Sequence, residues 1–253
     1  MTAWQFVAFL ACVALASSLQ NITGFALALI LLGLTGLFEL APLPDVANVA
    51  TVLSLANAAL QLRGTRKSLQ WGVWRDTVTG SVFGVAAGVA LLAWLSVNVV
   101  LVLRLLLGVV VIACAVIVLV RTRPVERPSS RASFGGYGFL SGLLGGLFSA
   151  SGPPLVYHFY RQPWDLGSLR DTLVACLSFG SLLRLAMVVP TGQFSLRAVG
   201  LSAAALPLVM GITWWMRRRP PGWRRETVLK VVCGLLVVTG VGLIAPAVGA
   251  LVR

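Results

Sequence analysis

The chain has 253 residues, 58% of them hydrophobic and only 11% charged, with a mean hydropathy of +0.93. A soluble fold of this length cannot hide that much apolar surface. The net charge of +13 lies between apolar runs rather than on a basic face with interleaved aromatics, which argues against nucleic acid and for contact with anionic lipid headgroups.

Helical elements are predicted in chain order over 3–19, 22–38, 45–62, 76–95 and 98–120, then 134–149, 153–160, 168–189, 196–216 and 227–249. Several approach the roughly 20 residues that cross a bilayer. The N-terminal MTAWQFVAFLACVALASS has an apolar centre and a small-residue end but no basic start, so it reads as a retained membrane element. Element 153–160 is too short to cross, and Gly152–Pro153–Pro154 breaks any helix passing through it. A matching break is predicted near Gln20–Asn21. Each half thus opens on a discontinuous or re-entrant pair, which membranes tolerate only where protein or a polar cavity meets the broken backbone.

Basic residues sort the gaps. Arg63, Arg66, Lys67 and Arg75 fill one; Arg121, Arg123, Arg127 and Arg131 the next; Arg161 and Arg170 a third; Arg217, Arg218, Arg219, Arg224 and Arg225 a fourth. Loops retained in the cytosol keep their Lys and Arg, so these four read as cytoplasmic. Equivalent gaps of the two halves then fall on opposite sides, and both termini lie outside. The halves also match in sequence: VLRLLLGVVVI (102–112) aligns with VLKVVCGLLVV (228–238), LQNITGFALAL (19–29) with LSGLLGGLFSA (140–150), and Thr51 with Thr172. The predicted architecture is an all-α polytopic membrane protein of two inverted-topology repeats. They cover 1–120 and 134–253, with about five helical elements each, joined by a basic cytoplasmic linker at 121–133.

Candidate site residues follow from the needs of a polar solute that sheds its water in crossing. The unpaired amides at the N-termini of broken helices supply donors, so Gly145, Gly146, Ser149, Ser151 and Gly152 are candidates in the second half. Gln20, Asn21, Thr23 and Gly24 are their counterparts in the first. Close helix packing is the alternative use of the glycines. Arg184 lies inside an apolar run, where an arginine costs at least about 2.5 kcal/mol, and either attracts a negatively charged substrate or snorkels to the outer interface. Arg104 and Lys230 lie near helix starts and read as interfacial. Asn57 either lines the site or bonds a neighbouring helix. His158, the one histidine, is a candidate for proton coupling or a structural ring. Asp76, Asp165, Asp171 and Glu226 stand beside cytoplasmic arginines and read as loop ion pairs. Cys12, Cys114, Cys176 and Cys233 sit in apolar runs with no CxxC pair, as buried small residues. The eight tryptophans lie near span ends, as an aromatic belt.

The run SGLLGGLFSASGPPLVYHFY (141–160), with its weaker partner QNITGFALALILLG (20–33), resembles the sulfite exporter TauE/SafE family of membrane transporters. The first-half copy is poorer in glycine than the family pattern. The resemblance covers essentially the whole chain and implies transport of a small anion such as sulfite or an organosulfonate, with export as the direction. No nucleotide-binding G-x-x-x-x-G-K-[ST] occurs, so a secondary transporter using alternating access is expected. A passive anion channel is the alternative. An intramembrane enzyme is less well supplied, with one histidine and no embedded carboxylate pair. No cofactor is expected. The partners are the anion and the bilayer of a bacterial plasma membrane, with proton coupling and homo-oligomerisation left open.

The sidedness is testable. In Ser130→Cys, an impermeant thiol reagent added to intact cells leaves the protein unlabelled, and labelling appears only after permeabilisation. Labelling from outside would reverse the topology.

Overall fold

The computed structural model describes residues 3–23, 25–61, 69–98, 100–119, 125–219, 233–242 and 244, and among them all regular structure is helical. The helices are α1 (Ala3–Thr23), α2 (Leu27–Leu37), α3 (Leu43–Gln61), α4 (Trp71–Asn98) and α5 (Val100–Leu119). They continue as α6 (Arg131–Phe148), α7 (Gly152–Phe159), α8 (Leu166–Val188), α9 (Leu196–Arg218) and α10 (Cys233–Gly242). Five of them, α1, α3, α4, α8 and α9, are long and apolar enough to cross a membrane. This is a multi-pass membrane protein. α2 and α7, with 11 and 8 residues, are too short to do so.

Helix starts follow capping chemistry. Ser130 and Ser195 accept from the amides of Ser133 and Ala198 at the heads of α6 and α9, and Asp165 accepts from Ser168 at the head of α8. Pro153 and Pro154 open α7, where a missing N–H costs nothing. One predicted boundary moves. α1 continues through Gln20 and Asn21 to Thr23, and α2 starts only at Leu27. Neither side chain breaks the helix: Asn21 Nδ2 bonds back to the Ser17 carbonyl, and Gln20 Oε1 reaches forward to accept from Leu27 N at 3.0 Å. α6 likewise begins at Arg131, inside the segment expected to be linker.

Packing gathers the polar gaps at two ends of the bundle. At one end the linker lies on the α7–α8 turn, with Val125 N donating to the Arg161 carbonyl and Gln162 exchanging bonds with Ser129. There too Gln70 donates to Thr172 and Ser168, and Arg131 approaches Asp76 at 3.7 Å. At the other end, Ser195 donates to Asp45 and Asn48 to the Gln193 carbonyl. Of the tryptophans, Trp4, Trp71, Trp94, Trp214 and Trp215 are exposed as a belt requires. Trp74 instead packs edge-on against Phe179, and Trp164 stacks on Phe134. Trp223, Glu226 and the basic residues of 63–67, 121–123 and 224–225 lie outside the described residues. All four cysteines are buried and free.

α4 and α6 make the most extensive helix pair. Gly80, Gly84 and Gly88 on α4 lie against the backbone of Gly135, Phe139 and Leu143 on α6, and Gly138, Gly142 and Gly146 on α6 lie against that of Thr77, Ser81 and Val85 on α4, so the two backbones touch without intervening side chains. A Cβ at Gly84 would sit 2.8 Å from Leu143 N and 2.9 Å from the Phe139 carbonyl carbon, backbone that cannot yield. A Cβ at Gly72, on the same helix, would meet nothing within 4 Å. Gly84→Val is therefore expected to lower stability by about 1–3 kcal/mol or more, whereas Gly72→Ala is neutral or stabilising by about 0.5–1 kcal/mol. Thermal unfolding of the detergent-purified variants checks the contrast.

Candidate functional site: a serine-lined cavity between two helix breaks

The break after α6 is built by its last turn. Ser149 takes the left-handed conformation (φ 56°), donating its N–H to the Gly145 carbonyl, while Ala150 N closes on the Leu144 carbonyl. The left-handed residue with its 5→1 bond is the arrangement that usually ends a helix on glycine. The chain restarts as α7 at Gly152, directly against the other break. A Cβ on Gly152 would lie 2.5 Å from Phe25 Cβ and 3.1 Å from its ring, so only glycine lets the two breaks touch.

A cavity opens between them. Its polar lining comes from Gln20, Ser54, Ser149, Ser151, Ser178 and Ser181, and its apolar lining from Phe25, Ala28, Ala58, Val174 and Leu177. No lining side chain carries a charge. The expected amide donors are few. Pro153 and Pro154 have no N–H, leaving Gly152 in the first turn of α7, and the first amide of α2 is taken by Gln20. The lining presents hydroxyl groups of α3, α8 and the α6–α7 break instead, of which Ser178 Oγ donates to the Val174 carbonyl. Sequence reasoning missed Ser54, Ser178 and Ser181, because serine inside an apolar helix has no local mark that separates a lining residue from a packed one.

Arg184 lies behind this lining, 1% exposed. It does not snorkel. Nε donates to the Gly146 carbonyl (3.0 Å), and Nη1 to Asn48 Oδ1 (2.9 Å) and Thr51 Oγ1 (2.8 Å), with the Ala47 carbonyl at 3.5 Å. All these acceptors are neutral, and Nη2 has no hydrogen-bond partner among the described residues. The Gly146 carbonyl belongs to the last turn of α6, where acceptors are unpaired and the helix dipole favours a cation. Thr51 Oγ1 in turn lies 2.8 Å from Ser149 Oγ, at the cavity wall. The sequence does not single out Asn48 and Thr51 as site residues. Their spacing of three on one face of an apolar helix was the available signal.

The other candidates separate. Gly145 abuts Ser151, whose Cβ would lie 3.3 Å from an added methyl, so it shapes the break. Gly146 packs on Val85 and Val89 of α4 and contributes its carbonyl to Arg184. Asn21 and Asn57 meet at Thr213 of α9, which accepts from Asn21 Nδ2 (3.1 Å) and donates to Asn57 Oδ1 (3.4 Å). These two join α1, α9 and α3 and do not line the cavity. Gly24 and the side chain of Thr23 lie outside the described residues. His158 is stacked on Tyr137 and edge-on to Phe134, with Ser133 Oγ 3.4 Å from Nε2. α7 is too short to span, and there burial first, then the charge of Arg161, hold the His158 pKa below the ordinary imidazole value. Among the described residues no group of three His, Cys, Asp or Glu could hold a metal.

Comparison with known proteins identifies the family. The family model "Sulfite exporter TauE/SafE" matches residues 9–243. The chain belongs to the TauE/SafE family. It is also 33% identical over 231 residues to a protein of Cupriavidus necator described as "Probable sulfite/organosulfonate exporter TauE", covering 91% of this chain and 90% of that one. No solved structure matches. Members of the family are membrane transporters, not enzymes.

The fork of Arg184 reaches across α6 and α3 at once, and a lysine cannot donate in both directions from fixed positions. Arg184→Lys is expected to lower stability by about 1.5–3 kcal/mol through the stranded acceptors. Thermal unfolding against wild type measures it, and unchanged unfolding would remove Arg184 from the framework.

Proposed function

We propose that this chain is a secondary transporter that exports a small anion, sulfite or an organosulfonate, by alternating access between two inverted repeats, 1–120 and 134–253. The observation that carries the reading is the serine-lined cavity where the two helix breaks meet, with the Arg184 guanidinium one hydroxyl pair behind its wall. Hydroxyl donors replace the water of an oxyanion, and a nearby uncompensated cation favours negative charge without fixing it in place. Binding must be weak enough for release, and an uncharged lining meets that requirement.

Packing supports the repeats. α3 lies on α9 as α8 lies on α4, and α1 lies on α9 as α6 lies on α4, which is the exchange expected of two five-helix units related by a two-fold axis in the membrane plane. The grouping of the 70, 125–131 and 161–172 segments at one end, and of Asp45 with Ser195 at the other, supports basic gaps on the cytoplasmic side and both termini outside. We assign His158 no part in coupling, because it stands in an aromatic cluster outside the cavity lining.

Proteoliposomes holding the purified protein are expected to take up labelled sulfite or sulfoacetate saturably. Ser151→Leu, which fills the cavity at the head of α7, is expected to cut that flux at least about tenfold with membrane abundance unchanged. A wild-type protein that is folded yet carries neither anion, or a Ser151→Leu variant with normal flux, would overturn the assignment. Linear, unsaturable flux would make it a pore instead.

A further inference from the structure

The Thr51 hydroxyl has more neighbours than it has protons. Its oxygen lies 2.8 Å from the Ala47 carbonyl, 2.8 Å from Arg184 Nη1 and 2.8 Å from Ser149 Oγ. A guanidinium only donates, so one lone pair of Thr51 always belongs to Arg184. Two arrangements satisfy what remains. In the first, Thr51 donates to the Ala47 carbonyl and accepts from Ser149, which leaves only lone pairs of Ser149 to face the cavity. That wall repels an anion. In the second, Thr51 turns its proton to Ser149 Oγ, and the Ser149 proton turns into the cavity. The bonds then run in one direction, from Nη1 through two hydroxyls to the ligand, and each polarises the next.

Ser149 supplies an independent reason to read the pair this way. It holds the left-handed conformation at a helix end where glycine is the ordinary residue. Strain of that kind in a non-glycine residue persists where surrounding structure enforces it, and it marks functional positions. Glycine would relieve the strain and lose the hydroxyl. Arg184 itself is absent from the cavity lining, so these two hydroxyls form the hydrogen-bonded connection between its guanidinium and that space.

We propose that Thr51 is a positioning residue, a hydroxyl relay that carries the buried Arg184 charge to an anion held at Ser149, and that the anion selects the second arrangement. The relay rests on the transport reading of the cavity and adds what makes it selective for anions over neutral solutes of the same size.

The test uses the full-length protein in proteoliposomes with labelled sulfite and sulfoacetate, and in parallel the rise in unfolding temperature on adding sulfite to the purified protein. Thr51→Val keeps the shape and removes both acceptor and donor. It is expected to raise KM about tenfold while the maximal rate changes less than about threefold. Thr51→Ser, which keeps the hydroxyl, restores the wild-type KM. Thr51→Val/Ser149→Ala is expected to be no worse than Ser149→Ala alone, since both act in one chain. Should Thr51→Val not accumulate in the membrane, Thr51→Ala is read the same way.

A wild-type KM in the valine or alanine variant, or penalties that multiply in the double variant, overturns the relay. The sulfite-induced thermal shift separates the two layers. Shifts in wild type and Thr51→Ser but not in Thr51→Val, without flux in any, sink transport and leave the relay standing. Equal shifts in all three sink the relay, and no shift and no flux in wild type sink both.

Discussion

Everything around the cavity depends on how one buried cation is solvated. Arg184 is buried among neutral partners toward the end of the apolar span Asp171–Val188, where taking a charge out of water is costly. The last turn of α6 carries the opposite problem, because its terminal carbonyls have no intrahelical donors. A buried, unpaired carbonyl costs about 1–3 kcal/mol. Bringing Nε onto the Gly146 carbonyl offsets both costs at once. Asn48 and Thr51 complete the shell from α3, so the cation ties together α3, α6 and α8. A helix that ran on through Ser149 would bond that carbonyl internally, and the guanidinium would lose it.

The break that creates the site is held by a rigid neighbour. Gly80, Gly84 and Gly88 let α4 lie against Gly138, Gly142 and Gly146 at backbone contact, which fixes where α6 ends. The same Gly146 therefore joins the packing seam to the Arg184 shell. From the other side, Phe25 presses on Gly152 and sets the depth at which the two breaks meet. The serines of α3 and α8 acquire their role only from this crossing. Further along α3, Asn57 closes a second buried polar contact through Thr213 to Asn21, away from the cavity. The cavity is thus bracketed along α3 by two polar clusters, one cationic and one neutral.

Much of this was legible in the chain because membranes impose strong local rules. Apolar length marked the helices, Gly152–Pro153–Pro154 marked the second break, and isolated Arg184 stood out against its run. The first break lies after Thr23, beyond the Gln20–Asn21 position that the sequence suggests, because amide side chains in an apolar stretch resemble a helix end. In the structure they bond along the helix and to α2, and α1 continues. Gly145 and Gly146 were grouped with the donors, although their closest neighbours are Ser151 and α4 respectively.

Composition and charge spacing determined by themselves that this is a multi-pass helical membrane protein with a helix break at Gly152–Pro153–Pro154, since hydropathy, proline and glycine act within a few residues of where they stand. The Gly-rich signature determined the family as well. Which hydroxyls face the cavity, which neutral groups surround Arg184, and that Asn57 bonds Thr213 rather than lining the site were decided only by tertiary structure. Each depends on residues far apart in sequence, such as Thr51 with Ser149 and Asn48 with Arg184. A serine or asparagine in an apolar helix carries the same local signal whichever neighbour it meets. Its role is set by the helix that packs against it.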